Sequence, residues 1–188
     1  MDNVYENCPV LENDRWLLRL IEEKDTEDLL KVYSDKNSLP FFNSDNCDGD
    51  NFYYPTIERM KEAMDFWFYS YREKWFVRFA IVDKNLGKAI GTIEAFHRPS
   101  NGDFDEVGVI RLDLASRYEN SADIKSIMSV ILPSAYDLFD CKEIISKCPI
   151  YAVERSEAFG ELGFRKTDTR LVGNDGTSYG GYWIRPVS

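Results

Sequence analysis

This sequence of 188 residues has few of the residues that build metal centres and cysteine-based active sites. Histidine occurs once, as His97, and the four cysteines follow no Cys-x-x-Cys spacing. The sequence therefore predicts neither a zinc site nor a catalytic Cys–His pair, and we expect no bound metal. The cysteines are interpreted as reduced thiols of a cytoplasmic protein.

Long hydrophobic runs and an excess of basic residues are also missing. No stretch approaches the roughly 20 apolar residues that cross a bilayer, and residues 1–7 lack the basic and apolar regions of a secretory signal. We therefore expect a soluble cytoplasmic protein without a membrane partner. The net charge is −10, whereas nucleic-acid binding needs clustered Lys and Arg, so nucleic acid is not predicted as a partner. The acidity fits a cationic partner, or simply solubility.

Length and composition predict a single domain that spans residues 1–188 with a sizeable core, because 44% of the residues are hydrophobic. In the first half, apolar patterning predicts a strand over residues 15–21, a helix that begins at Asp25 and a second helix capped by Thr56. Between the helices, residues 35–55 are rich in Asn, Asp, Gly, Pro and aromatics without a period. They are predicted to form a long loop, and loops of that length usually have a function.

The second half predicts strands over residues 77–82, 89–97 and 107–114 that pair antiparallel, because short turns join them. A helix follows residue 121, and Pro133 is expected to kink or interrupt it. A strand at residues 144–147 is reached by crossover and should run parallel to the strand before the helix. A helix over residues 153–162 is predicted to end at Gly163, with Phe164 touching Phe159. A hairpin turning at residues 174–176 completes the chain.

One strand–loop–helix unit has the composition of an anion site. The strand at residues 107–114 is followed by Arg117-Tyr118-Glu119-Asn120-Ser121-Ala122 and then by the amphipathic helix. A helix N-terminus offers unpaired backbone N–H groups and about half a positive charge, so this loop predicts a phosphate-binding site.

The spacing Arg-x-x-Asn-x-Ala resembles the Gln/Arg-x-x-Gly-x-Gly/Ala loop of the GNAT N-acetyltransferase superfamily. Residues 9–20, PVLENDRWLLRL, are similar to the opening of the GNAT branch that acetylates ribosomal-protein N-termini, and Leu162-Gly163-Phe164 looks like the motif that closes the last helix. The resemblance covers nearly the whole chain. It implies an α/β fold with a mixed, mainly antiparallel sheet flanked by helices and splayed between the fourth and fifth predicted strands.

The resemblance also implies acetyl-CoA as cosubstrate, bound in the gap between those two strands. Backbone groups of the strand end would pair with the pantetheine amides, and the loop would bind the pyrophosphate. Asn120 stands where the family has glycine; Asn tolerates a left-handed backbone, so the loop geometry is expected to persist. The implied cofactor-binding residues are Leu112, Asp113, Leu114, Arg117, Tyr118, Glu119, Asn120, Ser121 and Ala122.

In this family an amine attacks the thioester directly, so a base must take the ammonium proton. The resemblance places Glu106 near the glutamate base of some members, and a solvated strand end is an equal interpretation of that residue. Glu94, Asp113 and His97 are reserve candidates. Phe159 replaces the tyrosine that often protonates the leaving thiolate, and Ala152 replaces a cofactor-contacting asparagine.

The loop at residues 35–55 lies where the family builds its acceptor pocket. Its acids and aromatics suit an amine carried by a peptide or a small molecule, and equally the acids could solvate an aromatic-rich loop. The first functional hypothesis is an acetyl-CoA-dependent N-acetyltransferase. The alternatives are a degenerate GNAT domain that binds acyl-CoA or a partner without turnover, and an interaction protein that retains only the fold.

Overall fold

Eight strands form one mixed sheet in the computed structural model, which describes residues 3–187. The sheet order is β1-β2-β3-β4-β5-β6-β10-β7, and β8 and β9 form a separate two-stranded sheet. The strands are β1 (Leu11–Glu12), β2 (Trp16–Leu20), β3 (Val77–Asp83), β4 (Lys88–Arg98), β5 (Val107–Leu114), β6 (Glu143–Lys147), β7 (Arg165–Lys166), β8 (Leu171–Val172), β9 (Ser178–Tyr179) and β10 (Tyr182–Pro186). The helices are α1 (Thr26–Tyr33), α2 (Ile57–Arg72), α3 (Ser121–Leu138) and α4 (Val153–Glu161).

Helices cover both faces of the sheet, and the alternation of side chains along each strand separates two cores. Ile110, Leu112 and Leu114 of β5 pack with α3 and α4. Ala80 and Val82 of β3 pack with α1 and α2 on the opposite face. Because both faces are buried, every residue of β5 is buried, including its charged ones.

The strands β5 and β6 separate soon after they meet. They run parallel and pair at Gly108–Ile144 and Val109–Ile145, while β5 continues to Leu114. The short strand β1 is not among the predicted strands, so β5 and β6 correspond to the fourth and fifth strands predicted from the sequence. The splayed, mainly antiparallel sheet is therefore confirmed.

The predicted start of α2 and the predicted end of α4 are both confirmed by their backbone hydrogen bonds. The Thr56 hydroxyl accepts the N–H of Arg59 at 3.2 Å and caps α2. Gly163 has a φ of +85° after α4, and the N–H of Phe164 donates to the carbonyl of Phe159 at 2.9 Å. This is the predicted glycine C-cap, with the two phenyl rings stacked 4.9 Å apart.

Two predictions need correction. Pro133 is expected from the sequence to kink or interrupt α3, and the interruption is wrong: the helix runs from Ser121 to Leu138 with Pro133 inside it. Packing of its apolar face keeps the helix continuous through a residue that cannot donate. The last hairpin is also more complex than predicted. Its turn joins β8 to β9, and the returning strand β10 then enters the main sheet between β6 and β7.

None of the helices in residues 3–187 has the length and apolar content needed to cross a bilayer. The same residues contain no group of three or more His, Cys, Asp or Glu side chains placed to hold a metal ion.

Candidate active site

The first turn of α3 is capped by the chain itself. Asn120 is the N-cap residue, with φ −129° and ψ 155°, and its amide oxygen accepts the N–H of Asp123 at 3.0 Å. The expectation that Asn120 keeps a glycine-like left-handed geometry is therefore wrong, because an extended backbone directs the amide oxygen onto the helix end.

The backbone N–H groups predicted to bind phosphate are largely engaged. The N–H of Ser121 donates to Glu154 Oε2 at 2.8 Å, and those of Tyr118 and Glu119 donate to the carbonyls of Ala115 and Ser116. A carboxylate from α4 thus lies where an anionic ligand of α3 would lie.

The remaining loop side chains differ in exposure. Arg117 is exposed, with its guanidinium 4.5 Å from the centre of the Tyr118 ring, and Ala122 is also exposed. The Tyr118 ring is buried edge-on against Trp16, and its hydroxyl donates to Asp83 Oδ2. Arg117 is therefore available to a ligand at the surface, whereas Tyr118 is part of the core.

Side chains of the chain also fill the gap between β5 and β6. The Ser146 hydroxyl donates to the carbonyl of Ile110 at 2.7 Å. Arg155, from α4, donates through Nη2 to the carbonyl of Leu112 at 3.0 Å. Open strand carbonyls that lack a ladder partner are in this way satisfied internally.

Arg155 is held by a buried ion pair. Its Nε and Nη2 donate to the two carboxylate oxygens of Glu119 at 2.7 and 2.8 Å, and the two side chains are 1% and 5% exposed. A third contact, from Nη1 to the carbonyl of Phe41 at 3.3 Å, reaches the loop between α1 and α2. Nearby, the Tyr151 hydroxyl donates to the carbonyl of Pro40. Four parts of the chain therefore meet at one guanidinium.

The opposite face of the sheet contains a cavity of about 530 Å³. It lies between the long loop, α2 and strands β3–β5, with Asn174 of the last turn at one side. Aromatic rings such as Trp67, Trp75 and Phe96 form its walls. Its charged lining consists of Asp48, Asp50, Arg59, Arg78, Glu94 and Arg111.

Charges at the base of this cavity are paired across the strands. Arg78 donates to Glu94 Oε2, and Arg111 Nη1 donates to Glu94 Oε1 at 2.9 Å. The Arg78 guanidinium also lies 4.0 Å from the centre of the Trp67 ring, so a cation–π contact adds to the pairing. Because both oxygens of Glu94 accept from arginines, this reserve candidate is held as the counter-ion of two cations.

Asp113 belongs to the same buried network rather than to the strand gap. Its Oδ2 accepts from the Tyr33 hydroxyl at 2.8 Å and lies 3.4 Å from Arg78. Among the described residues, its Oδ1 has no hydrogen-bond partner. Burial raises the pKa of Asp113, and the Arg78 cation opposes that rise.

The long loop is anchored to this network by Asp45. Both of its carboxylate oxygens accept from Lys147, and Oδ2 also accepts from the Tyr182 hydroxyl at 3.0 Å. The Sγ of Cys47, further along the loop, lies 3.1 Å from Arg111 Nη1, and burial raises the pKa of this thiol. The loop therefore has a fixed position over the cavity.

Glu106 lies at the other end of β5 from the gap. It precedes the strand with a φ of +54°, its side chain is 66% exposed, and its Oε2 lies 3.1 Å from His97 Nε2. His97 Nδ1 is 2.8 Å from the carbonyl of Phe139. Glu106 lines a separate cavity of about 690 Å³ together with Cys141. Ile110 is four residue steps further along the chain, a distance of about 13 Å in an extended strand.

Phe159 and Ala152 are core residues, 0% and 2% exposed. Sequence reasoning missed the two most buried arginines, Arg78 and Arg155. Arg78 could have been noticed because it follows Val77 in the apolar strand VRFAIVD, where an inward charge must have a buried partner. Arg155 carries no such signal, because a polar helical sequence surrounds it.

No protein-family model matches this sequence, and no curated protein matches it. Solved structures do resemble it, and they are GNAT-family acetyltransferases. The ribosomal-protein-S5-alanine acetyltransferase of Vibrio fischeri is 17% identical, with 94% of each chain covered and a TM-score of 0.66. A GNAT-family acetyltransferase of Bacillus anthracis is 15% identical, with 95% of this chain and 98% of that one covered and a TM-score of 0.67. The chain therefore has the GNAT fold.

Proposed function

We propose that this chain is an acetyl-CoA-dependent N-acetyltransferase that modifies the primary amine of a peptide N-terminus or of a small molecule. The observation that carries the proposal is the gap between β5 and β6, which begins after Val109–Ile145 and leads to the start of α3. A cavity of about 530 Å³ lies on the other face of the sheet. The gap would bind acetyl-CoA, and the cavity would bind the amine acceptor.

The backbone of the gap fits the coenzyme. The carbonyl of Leu112 faces the gap, since Arg155 reaches it there, and Asp113 and Leu114 continue the strand to the loop. Backbone groups of these residues would hold the pantetheine amides. The pyrophosphate would lie against the N–H groups from Tyr118 to Ala122, beside the exposed Arg117. The N–H groups of Tyr118, Glu119 and Ser121 would first have to release their present partners.

The acceptor would lie in the cavity beneath the long loop. Asp48 and Asp50 line it with aromatic rings such as Trp75, and carboxylates and ring faces both attract an ammonium group. The V. fischeri structure is named for acetylation of a ribosomal-protein alanine, which is consistent with a peptide amine here.

The chain must remove one proton from the ammonium before the amine can attack. Bound acetyl-CoA would supply the thioester carbon and the leaving thiolate, and attack would be direct, in a ternary complex. We propose Glu106 as the base, with His97 at 3.1 Å as its partner. Because Glu106 lies about 13 Å along β5 from Ile110 and lines a separate cavity, the proton would have to reach it through a chain of waters. Glu94 lines the acceptor cavity itself, and it is the competing assignment.

A second candidate function is favoured by the ion pair between Arg155 and Glu119. A guanidinium in the strand gap and a carboxylate in the pyrophosphate loop are what a domain that no longer turns over acetyl-CoA would show. Such a domain would bind an acyl-CoA, or a protein partner, without transferring an acetyl group.

Binding and turnover, measured together, separate the two candidates. Acetyl-CoA is titrated calorimetrically into the protein, and free thiol release is then followed with peptides bearing free N-termini and with small amines. Thiol release that depends on an amine supports the transferase. Saturable binding without release from any acceptor, in contrast, supports the second candidate.

The base is tested with Glu106→Gln. Removing a general base should lower kcat by about 10²–10⁴-fold and abolish the rise in rate that follows deprotonation of the base as pH increases. Glu143→Gln is the matched control, because Glu143 lines the same cavity and is exposed. An unchanged profile in Glu106→Gln, with loss of activity in Glu94→Gln, would transfer the role to Glu94.

A further inference from the structure

We infer that Arg155, Glu119 and Glu154 form an internal latch that competes with the coenzyme for the same backbone groups. The inference rests on the proposed function, since it concerns the space that acetyl-CoA would take. Its three members come from two segments: Glu119 from the loop before α3, and Glu154 and Arg155 from the first turn of α4.

Arg155 occupies the strand gap physically. Its guanidinium donates to the carbonyl of Leu112 at 3.0 Å, where a pantetheine amide would otherwise donate. The side chain is 1% exposed, so bulk solvent does not reach it. A ligand cannot enter this part of the gap until the guanidinium leaves.

The two carboxylates of the latch oppose a diphosphate by charge. Glu154 Oε2 accepts the N–H of Ser121 at 2.8 Å, the first helical donor of α3. Glu119 lies one residue before the N-cap Asn120, and its charge is balanced by Arg155. A phosphate brought to this helix end would meet an engaged donor and the negative charge of Glu154, which no arginine of the latch balances. Hydrogen bonds to charged groups are among the stronger ones.

The latch also reaches the acceptor side of the molecule. Arg155 Nη1 donates to the carbonyl of Phe41, and the Phe41 and Tyr151 rings meet edge-on 6.0 Å apart. Release of Arg155 would therefore remove one of the contacts that hold this loop, while Asp45 would keep its contacts with Lys147 and Tyr182. By linkage, a ligand that displaces this loop would in turn loosen the latch.

The first test uses coenzyme A alone as the probe, measured by calorimetric titration without any acceptor. Glu154→Gln removes one charge from an exposed side chain and leaves the buried pair intact. We expect it to bind coenzyme A about tenfold more tightly than the unmodified protein. Glu157→Gln is the matched control: it removes the same charge from an exposed position of α4, and should leave the affinity unchanged.

The second test removes the Arg155 and Glu119 side chains from the gap between β5 and β6. The double variant Arg155→Ala with Glu119→Ala removes both charges together, so no buried charge is left without a partner. Thermal unfolding first establishes that it folds. We expect its affinity for coenzyme A to rise by at least as much as in Glu154→Gln, because both the guanidinium and a second carboxylate are gone.

The outcomes distinguish the latch from the proposed function. Tighter binding in both latch variants, with Glu157→Gln unchanged, supports the latch even if no amine releases thiol, a result that would count against the transferase. Equal affinity in all proteins, with amine-dependent thiol release, overturns the latch and leaves the transferase standing. No binding of millimolar coenzyme A by any variant overturns both.

Discussion

The space next to the sheet is filled by side chains on one face and left as a cavity on the other. On the α3–α4 side, the strand gap is filled by Arg155 and Glu119, whose side chains are 1% and 5% exposed. On the α1–α2 side, a cavity of about 530 Å³ is left beneath the long loop. The ion pair at the base of this cavity, Arg78 with Glu94, is buried, whereas the pair of Arg59 and Asp50 has side chains 39% and 33% exposed.

The Arg155–Glu119 pair therefore has a structural role, whereas we propose a role in recognition for the exposed Arg59–Asp50 pair. The buried pair satisfies a strand carbonyl and connects α4 to two loops. The exposed pair is screened by water and contributes little to stability. We therefore expect the Arg155–Glu119 pair to affect stability and coenzyme access, and the Arg59–Asp50 pair to affect the choice of acceptor.

The largest effect is expected from Arg155→Ala. It leaves the Glu119 carboxylate buried without a counter-ion and the carbonyl of Leu112 without a donor, and breaking such a pair costs about 3–5 kcal/mol of unfolding free energy. Urea unfolding monitored by tryptophan fluorescence measures the loss.

The double variant with Glu119→Ala is the control for this effect. Removing both charges should recover part of the loss, because the remaining penalty is the cavity and not an unpaired charge. A cost for Arg155→Ala below about 1 kcal/mol, as for an exposed pair, would remove the contrast between the two sides.

A smaller, pH-dependent effect is expected from Asp113→Asn, in the network beneath the acceptor cavity. Burial raises the Asp113 pKa above its ordinary value of 3.8 in the folded protein. Between pH 3.8 and the raised pKa of the folded state, the native protein binds more protons than the unfolded chain. Asp113 therefore makes the free energy of unfolding fall as pH rises through this range.

The variant should lack this fall, which for one group is at most about 1.4 kcal/mol per pH unit. The unfolding free energies of the unmodified protein and of Asp113→Asn are measured from about pH 3.5 upward, near the unfolded-state pKa of an aspartate. The difference between the slopes of the two curves against pH gives the contribution of Asp113. Parallel curves would show that Asp113 titrates alike in the folded and unfolded chains.

Much of the fold could be predicted because its signals are local. Helical spacing and a Thr56 cap identify α2, and Gly163 marks the end of α4 through a backbone angle that glycine adopts readily. The course of β10 could not be predicted. Its pairing with β6 depends on contacts between residues 143–147 and 182–186, which no local pattern encodes.

In the candidate site, too, local features could be predicted from the sequence and long-range contacts could not. Sequence reasoning identified the loop from Arg117 to Ala122 from its position before a helix. It missed Arg155, because the partner of that arginine, Glu119, lies 36 positions away in the chain. Whether a helix N-terminus accepts a ligand or is capped by a distant carboxylate such as Glu154 is decided by tertiary structure.

The smallest change in stability is expected from Arg59→Ala on the cavity side. Arg59 pairs with Asp50 at 3.0 Å and lies 4.6 Å over the Tyr54 ring, contacts that are worth about 1 kcal/mol or less when exposed. Because Arg59 lines the acceptor cavity, the same variant should change acceptor KM while coenzyme A affinity is unaffected. If Arg59→Ala instead destabilised the protein as much as Arg155→Ala, the exposed pair would also be structural. The division between a stabilising gap and a recognising cavity would then fail.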